Sequence, residues 1–483
     1  MKKRVTALAL CALIALGLGL SASAHAQSVT GNFYDDSVVR RLTTVVYCLS
    51  EDRYRLVPDV RTLSVMNNET MLEVLTREVL QEPQGEHVIS AMTERVRLYV
   101  LSVAQTGRVA TVDLGGDAEM MQPYEMFCLK AALTNTLIET GQVDYVNVLF
   151  MGRELTTNDL PTGTLTRFDE DLQSAWIEHE NEGVAALRSP DYTFKRYVTL
   201  FFASSKSDLL LAEVRQLTFT RSNLAIPVVS ALISGPFSDT ELRRSYPSAA
   251  NVVGIPSFEQ EDENTQYLEI DFYYEMANAL SGGSRQRRIQ LAPLVITLTT
   301  FLPNTSALRI CVNRRPIESL SESDLGERQY DRLLYRSQFE GLLGRTVSLY
   351  FPAGEGRQSR VTRAIELRRS TLRDLIEELL IAPDGAQRVF PEGFTGDHLR
   401  GVCMVDDIAV VNFTQQGAEL MRTLEPDSLR DSIFCIVNTL TDYAGVSRVQ
   451  FLVEGLKVDS LSGVLNLRSP LVRNPGVIQP GQN

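Results

Sequence analysis

The feature that most restricts the fold is an ordered set of apolar runs that returns three times along 483 residues. The run Thr44-Val45-Val46-Tyr47-Cys48 recurs as Val198-Thr199-Leu200-Phe201-Phe202 and as Val347-Ser348-Leu349-Tyr350-Phe351. Such β-branched and aromatic runs are strand-like. Each leads through a polar turn to a second extended segment closing on Arg61, Arg215 or Arg363, at 14, 14 and 13 residues from the aromatic. An amphipathic helix should follow. It is clearest in copy three, where Leu372, Leu375, Ile376, Leu379 and Leu380 share one face and Ser370 is placed to cap it. Pro83, Pro236 and Pro383 end this helix, because proline cannot extend one. Two strands come next, the second of them at residues 109–114, 267–272 and 408–413. A second helix and a last strand complete the unit, with Asn135-Thr136-Leu137 matching Asn438-Thr439-Leu440. Copy two has Pro227 and Pro293 where its helices belong, which implies helices that begin beside proline, where the missing N–H costs nothing.

Each unit is about 115 residues long, enough to bury its own core. The spacing therefore predicts three domains, at 40–156, 193–317 and 344–460, with linkers at 157–192 and 318–343 and an extended tail at 461–483. Within the first linker, residues 169–177 have helical potential, and Trp176, the only tryptophan, is expected to pack within the chain.

Residues 1–26 read as an address. Lys2, Lys3 and Arg4 precede an apolar run at 7–20 that is short for a membrane span, and Ala24-His25-Ala26 has the form of a signal-peptidase site. Cleavage between Ala26 and Gln27 would change the net charge from −13 to −16. An uncleaved anchor and lipidation at Cys11 are the weaker alternatives. The expected location is extracytoplasmic, at the cell envelope. The acidic balance opposes nucleic-acid binding. Cys48, Cys128, Cys311, Cys403 and Cys435 each sit in an apolar run and are expected to be buried thiols, with one disulfide left open. His87, His179 and His398 are expected at the surface. No phosphate loop, nucleophile elbow or metal-ligand spacing is present, so neither cofactor, metal nor catalytic residue is assigned.

Two residue sets recur with the units. Arg61, Arg215 and Arg363 read either as a shared contact to a partner's carboxylate or as arginines paired inside their own domain. Asp113, Asp271 and Asn412 interrupt apolar strands ahead of helix two, where short Asx side chains cap or turn the backbone. The acidic stretch at 259–263 reads as a solvated loop.

Taken together, the run 346–352, Val361-Thr362-Arg363, the helix ending at Pro383 and the close at 449–455 resemble the sporulation and spore-germination domain called GerMN. Copy one shares Leu56-Val57-Pro58, Val112-Asp113-Leu114 and Gly152; copy two shares residues 232–236 and Ile270-Asp271-Phe272 but has Arg314 where the others have Gly152 and Gly455. The resemblance implies an α/β (α+β) fold of three tandem two-layer sandwiches, each a sheet with two helices on one face, similar to ring-building modules. It also implies an exported, non-enzymatic protein. Its partners would be envelope proteins or further copies of itself, with sporulation or germination as the setting and no small-molecule substrate. The alternative is a cell-wall binding module.

Overall fold

The structure, a computed structural model, describes residues 39–66, 69–93, 95–156, 160–189, 191–237, 241–262, 265–280, 283–317, 332–367, 371–443 and 445–479. The address segment, with Ala26 and Gln27, lies outside the described residues.

In the first unit β1 (Val39–Ser50) and β2 (Leu56–Met66) form a long antiparallel hairpin, followed by α1 (Met71–Val79) and by the short β3 (Val88–Ile89), which pairs with the end of β1. A second sheet holds β4 (Leu98–Thr106), β5 (Val109–Gly116) and, after α2 (Pro123–Glu139), β6 (Tyr145–Phe150); β4 and β5 are antiparallel, β5 and β6 parallel. The helix α3 (Leu172–Arg188) leads to the second unit. There β7 (Thr193–Ser204) pairs with β8 (Leu210–Thr220), and after α4 (Ala225–Ser234) also with β9 (Leu242–Arg243). Its second sheet runs β10 (Ser257–Asp262), β11 (Thr265–Phe272), then α5 (Glu275–Leu280) and α6 (Ser284–Phe301), β12 (Thr305–Val312), β13 (Arg315–Pro316) and β14 (Leu334–Tyr335). The third unit repeats the plan with β15 (Gly344–Pro352), β16 (Gln358–Glu366), α7 (Leu372–Leu379), β17 (Leu399–Val405), β18 (Ile408–Phe413), α8 (Gln415–Met421), α9 (Pro426–Leu440), β19 (Arg448–Val453), β20 (Leu456–Lys457) and β21 (Leu471–Val472).

The fold is thus a repeated α+β sandwich whose strands divide, in each unit, into a hairpin sheet and a mixed sheet. Helix two (α2, α6 or α9) lies across the first strand. It buries Leu129, Leu133 and Leu137 in unit one and Ile433, Ile436 and Leu440 in unit three. A threonine on this helix also accepts a hydrogen bond from the first strand: Thr136 from the Tyr47 N–H (2.9 Å), Thr297 from Phe201 (3.1 Å) and Thr439 from Tyr350 (3.1 Å). A buried strand-edge N–H without a ladder partner needs such an acceptor.

Local sequence explains the helix ends. Thr70 with Glu73, and Thr371 with Asp374, form capping boxes on α1 and α7. Thr371 therefore caps α7, one residue past the expected Ser370, which lies outside the described residues. Pro227 falls in the first turn of α4, as anticipated, but Pro293 sits inside α6, contrary to a helix starting there. The buried Tyr246 hydroxyl bonds the Gln290 carbonyl in the turn before this proline (2.6 Å). Residues 259–262 of the acidic stretch lie in an edge strand rather than a loop, and Glu263 lies outside the described residues: β10 is exposed along its whole length, and its charges keep that open edge from pairing with other chains.

Where they are described, the expected linkers and tail carry paired structure. After its last strand, each unit sends a strap back across itself. Leu165 pairs with Val146, Leu334 with Leu308 and Leu471 with Val449. The straps then reach the start of the second strand, where Leu56 bonds Glu170, Leu210 pairs with Leu343 and Gln358 with Ile478. Leu165, Leu334 and Leu467 are buried in the cores of their own units. On α3, Trp176 packs against Tyr124 and Phe127, 5.5 and 5.4 Å between ring centroids, while Ala186 enters the second core.

Candidate functional site

The recurring arginines converge on one job. Arg61, almost wholly buried, donates from Nε to Asp59 (2.9 Å), from Nη1 to the Glu78 carbonyl (2.9 Å) and carboxylate (3.2 Å), and from Nη2 to the Cys48 sulfur (3.3 Å). Arg215 binds Glu213 and the Gly235 carbonyl (2.6 Å), with Phe237 stacked 3.8 Å from its guanidinium carbon. Arg363 binds the Glu378 carbonyl (2.8 Å) and carboxylate (2.9 Å) and the Ile381 carbonyl (2.8 Å). Each cation sits where the last carbonyls of helix one are unpaired and the helix dipole is negative. Pro83, Pro236 and Pro383 lie just beyond those helix ends.

Of the cap and turn roles expected of them, the Asx residues take the turn role. They do not cap helix two. Asp113 Oδ1 accepts from the Gly152 N–H, Asp271 Oδ1 from Arg314 and Asn412 Oδ1 from Gly455, each at 2.9 Å. The acceptors clasp the tight turn after the last strand. That turn has positive φ at both central residues: Met151 and Gly152 (53° and 77°), Asn313 and Arg314 (48° and 63°), Glu454 and Gly455 (50° and 80°). This is the hairpin turn that glycine favours. Unit two keeps it with Arg314 in the strained position. Burial pushes the Asp113 carboxyl up from its ordinary value, against the opposing pull of the Gly152 N–H and the Arg336 charge.

A third set was missed in the sequence. Arg167, Arg336 and Arg473 lie two residues past the strap leucines, in the recurring pattern Leu-x-Arg. Arg167 bridges the Tyr47 hydroxyl (2.7 Å) and Glu139 (2.6 Å); Arg473 bridges the Tyr350 hydroxyl (2.5 Å) and Asp442 (2.7 Å). Arg336, buried, bonds Thr300 (2.5 Å) and Glu340 (2.9 Å). Beside them, Asn135 exchanges two hydrogen bonds with the Phe168 backbone, and Asn438 binds the Asn474 backbone in the same way. The signal was present as Leu-x-Arg. The variable length of chain before it hid the repeat.

Other ionisable groups are scattered. Lys130 and Glu154 form a buried pair (3.8 Å); burial pulls the lysine down and pushes the carboxyl up. His87 is exposed and lies 3.0 Å from Glu51. His179 and His398, expected at the surface, are instead half-buried against Phe127 and Phe394. The five described cysteines form no disulfide and are buried, and burial pushes the Cys128 and Cys403 thiols up to about 11. Among the described residues, no cluster of three or more His, Cys, Asp or Glu could hold a metal ion.

Concave surface is found between units. A cavity of about 520 Å³ separates units one and three, and a second of about 340 Å³ adjoins it. Thr70, Gln105 and Arg345 line both.

Residues 45–156 and 348–459, which hold the clasps of units one and three, each match the family model Germane, described as sporulation and spore germination. The chain carries tandem GerMN domains. Among solved structures it is similar to the tandem GerMN domains of the sporulation protein GerM from Bacillus subtilis, at 15% identity over 61% of this chain and 97% of that one, with a TM-score of 0.25. The first GerMN domain of the same protein is 18% identical over 26% of this chain and 97% of that one (TM-score 0.23). A putative lipoprotein from Clostridium perfringens is 22% identical over 27% and 87% (TM-score 0.19). No curated protein matches the chain. Among the described residues, no helix is long and apolar enough to cross a membrane.

Proposed function

We propose that this GerMN chain is an exported, non-enzymatic protein of the cell envelope that assembles with partner proteins or with further copies of itself, in sporulation or spore germination. The middle unit, 193–317 with its strap, is on this reading a divergent third GerMN domain. One observation carries the proposal. The polar residues that recur from unit to unit are spent on the protein's own helix ends, turns and straps, so what the units offer to the outside is surface. That surface includes an apolar stripe on α3, with Ile177, Val184 and Leu187 exposed.

The test is twofold. Amino-terminal sequencing of the protein recovered from the producing cells should begin at Gln27. Crosslinking in intact envelopes, followed by affinity purification, should recover the chain with defined protein partners or as homo-oligomers. Cosedimentation of monomeric protein with purified wall sacculi, with no protein recovered, would replace this reading by the cell-wall one.

A further inference from the structure

The cavity between units one and three contains one cation whose bonding is incomplete. Arg345, at the start of β15, lines both this cavity and its neighbour. Its guanidinium carbon lies 5.7 Å from the centre of the Tyr443 ring. Its Nε and Nη2 atoms are buried and have no hydrogen-bond partner among the described residues. These two N–H groups form the parallel edge of the guanidinium that fits two oxygens of one carboxylate, the geometry Arg108 uses toward Asp144. Leaving charged donors buried and unpaired is costly.

The other charges around the cavities have partners. Arg108 is bound to Asp144, Asp442 to Arg473, Glu69 to Arg77 and Arg336 to Glu340, while Glu73 accepts from Thr70 and Asp113 from the Gly152 N–H. The remaining polar lining of the larger cavity is neutral, with Ser348, Thr346, Gln105 and Gln142 among it. Volumes of this size suit a ligand of two or three residues or two sugar rings. Since Arg345 borders both spaces, rotation of its long side chain can turn the empty edge toward a ligand without moving the backbone.

We propose that the cavity between units one and three is a binding site for a small ligand bearing a single carboxylate on a neutral, hydrogen-bonding body, with Arg345 as the carboxylate receptor. The assignment is independent of export and of assembly, because it rests on this cavity alone.

The test is titration of the full chain, by calorimetry and amide NMR, with N-acetyl-Ala-Ala and its C-terminal amide, and with N-acetylmuramic acid and N-acetylglucosamine. Each pair differs in its carboxylate, and the two pairs separate a peptide source from a sugar source. At least one acid should bind and its neutral counterpart should bind about tenfold more weakly or not at all. Arg345→Gln should remove that preference. Should that variant fail to fold, the wild-type protein still decides: the acid, and not its neutral counterpart, should shift the amides of Arg345, Thr346 and Gln105. Binding by neither acid, equal binding of acid and neutral forms, shifts confined to other regions, or an unchanged preference in a folded Arg345→Gln protein would each overturn the assignment.

Discussion

Units one and two make an informative pair. The family match covers unit one, whereas unit two lies between the two matched segments. Unit two carries a proline inside its second helix, an arginine in place of the turn glycine, and an acidic exposed edge strand. Nevertheless its backbone is held at the same four points: an arginine on the end of helix one, an Asx on the last turn, a threonine on the first strand and a strap arginine at helix two. Core side chains of suitable size can replace one another at modest cost, whereas a buried N–H or carbonyl needs a partner at one place. The difference teaches that the repeat is conveyed by backbone clasps more than by the identity of the core.

The largest effect should come from the helix-end arginine. Arg61→Ala leaves Asp59 buried and Glu78 without its cation, and should cost unit one about 3–5 kcal/mol. Arg363→Ala should cost clearly less, since that side chain is about a fifth exposed. Trp176 packs on unit one and gives the fluorescence readout for the first variant; hydrogen exchange of α7 serves for the second. Equal losses would break the proposed link between burial and strength.

The strap comes next. Asn438→Ala removes the side chain holding the Asn474 backbone in a buried site and should destabilise unit three by about 1–3 kcal/mol. Proteolysis should then cut at the tail first. If the tail proves equally protected, it is not a working part of the unit.

Asp113 and Asn412 offer a pH test. Burial raises the folded-state pKa of Asp113 above its unfolded value, so the folded protein holds that proton more tightly. The cost is absent at pH values below the ordinary carboxylate range. It appears as pH rises from there through the raised value. Asp113→Asn, which installs the residue of unit three, should therefore be more stable than the parent at pH 7, with the advantage fading below about pH 4. Urea unfolding at both pH values reads it. An advantage that grows on acidification would contradict the sign.

The smallest effect is a gain. Arg314→Gly should relieve a left-handed arginine and stabilise unit two by about 0.5–1 kcal/mol, net of the extra freedom glycine gives the unfolded chain. A loss would mean that the Arg314 side chain contributes something beyond its backbone.

Much of this was legible in the residues themselves. Periodicity located the strands, both helices and their buried faces, because burial imposes a repeat of two or 3.6 along the chain. The Arg and Asx positions were legible as well, but their partners were not. Asp113 meets the turn at Gly152, 39 residues away, and the nearer helix is the more obvious guess. In the sequence the straps look like linkers because polar, irregular sequence carries no period, and only pairing through space shows that Leu334 and Leu471 are equivalent. Pro293 gives no reliable helix start in the sequence, because a helix buried along residues 291–300 can retain a proline that an isolated one would not. The cavity at Arg345 depends on the meeting of units one and three, which no local pattern encodes.

The central claim is that three units share one set of backbone clasps. Amide hydrogen exchange at Gly152, Arg314 and Gly455 tests it most directly. All three should exchange slowly in the parent protein, and each should become fast when its own acceptor, Asp113, Asp271 or Asn412, is changed to alanine while the other two stay slow. Fast exchange of Arg314 in the parent, or indifference of any of the three amides to the loss of its acceptor, would contradict the account.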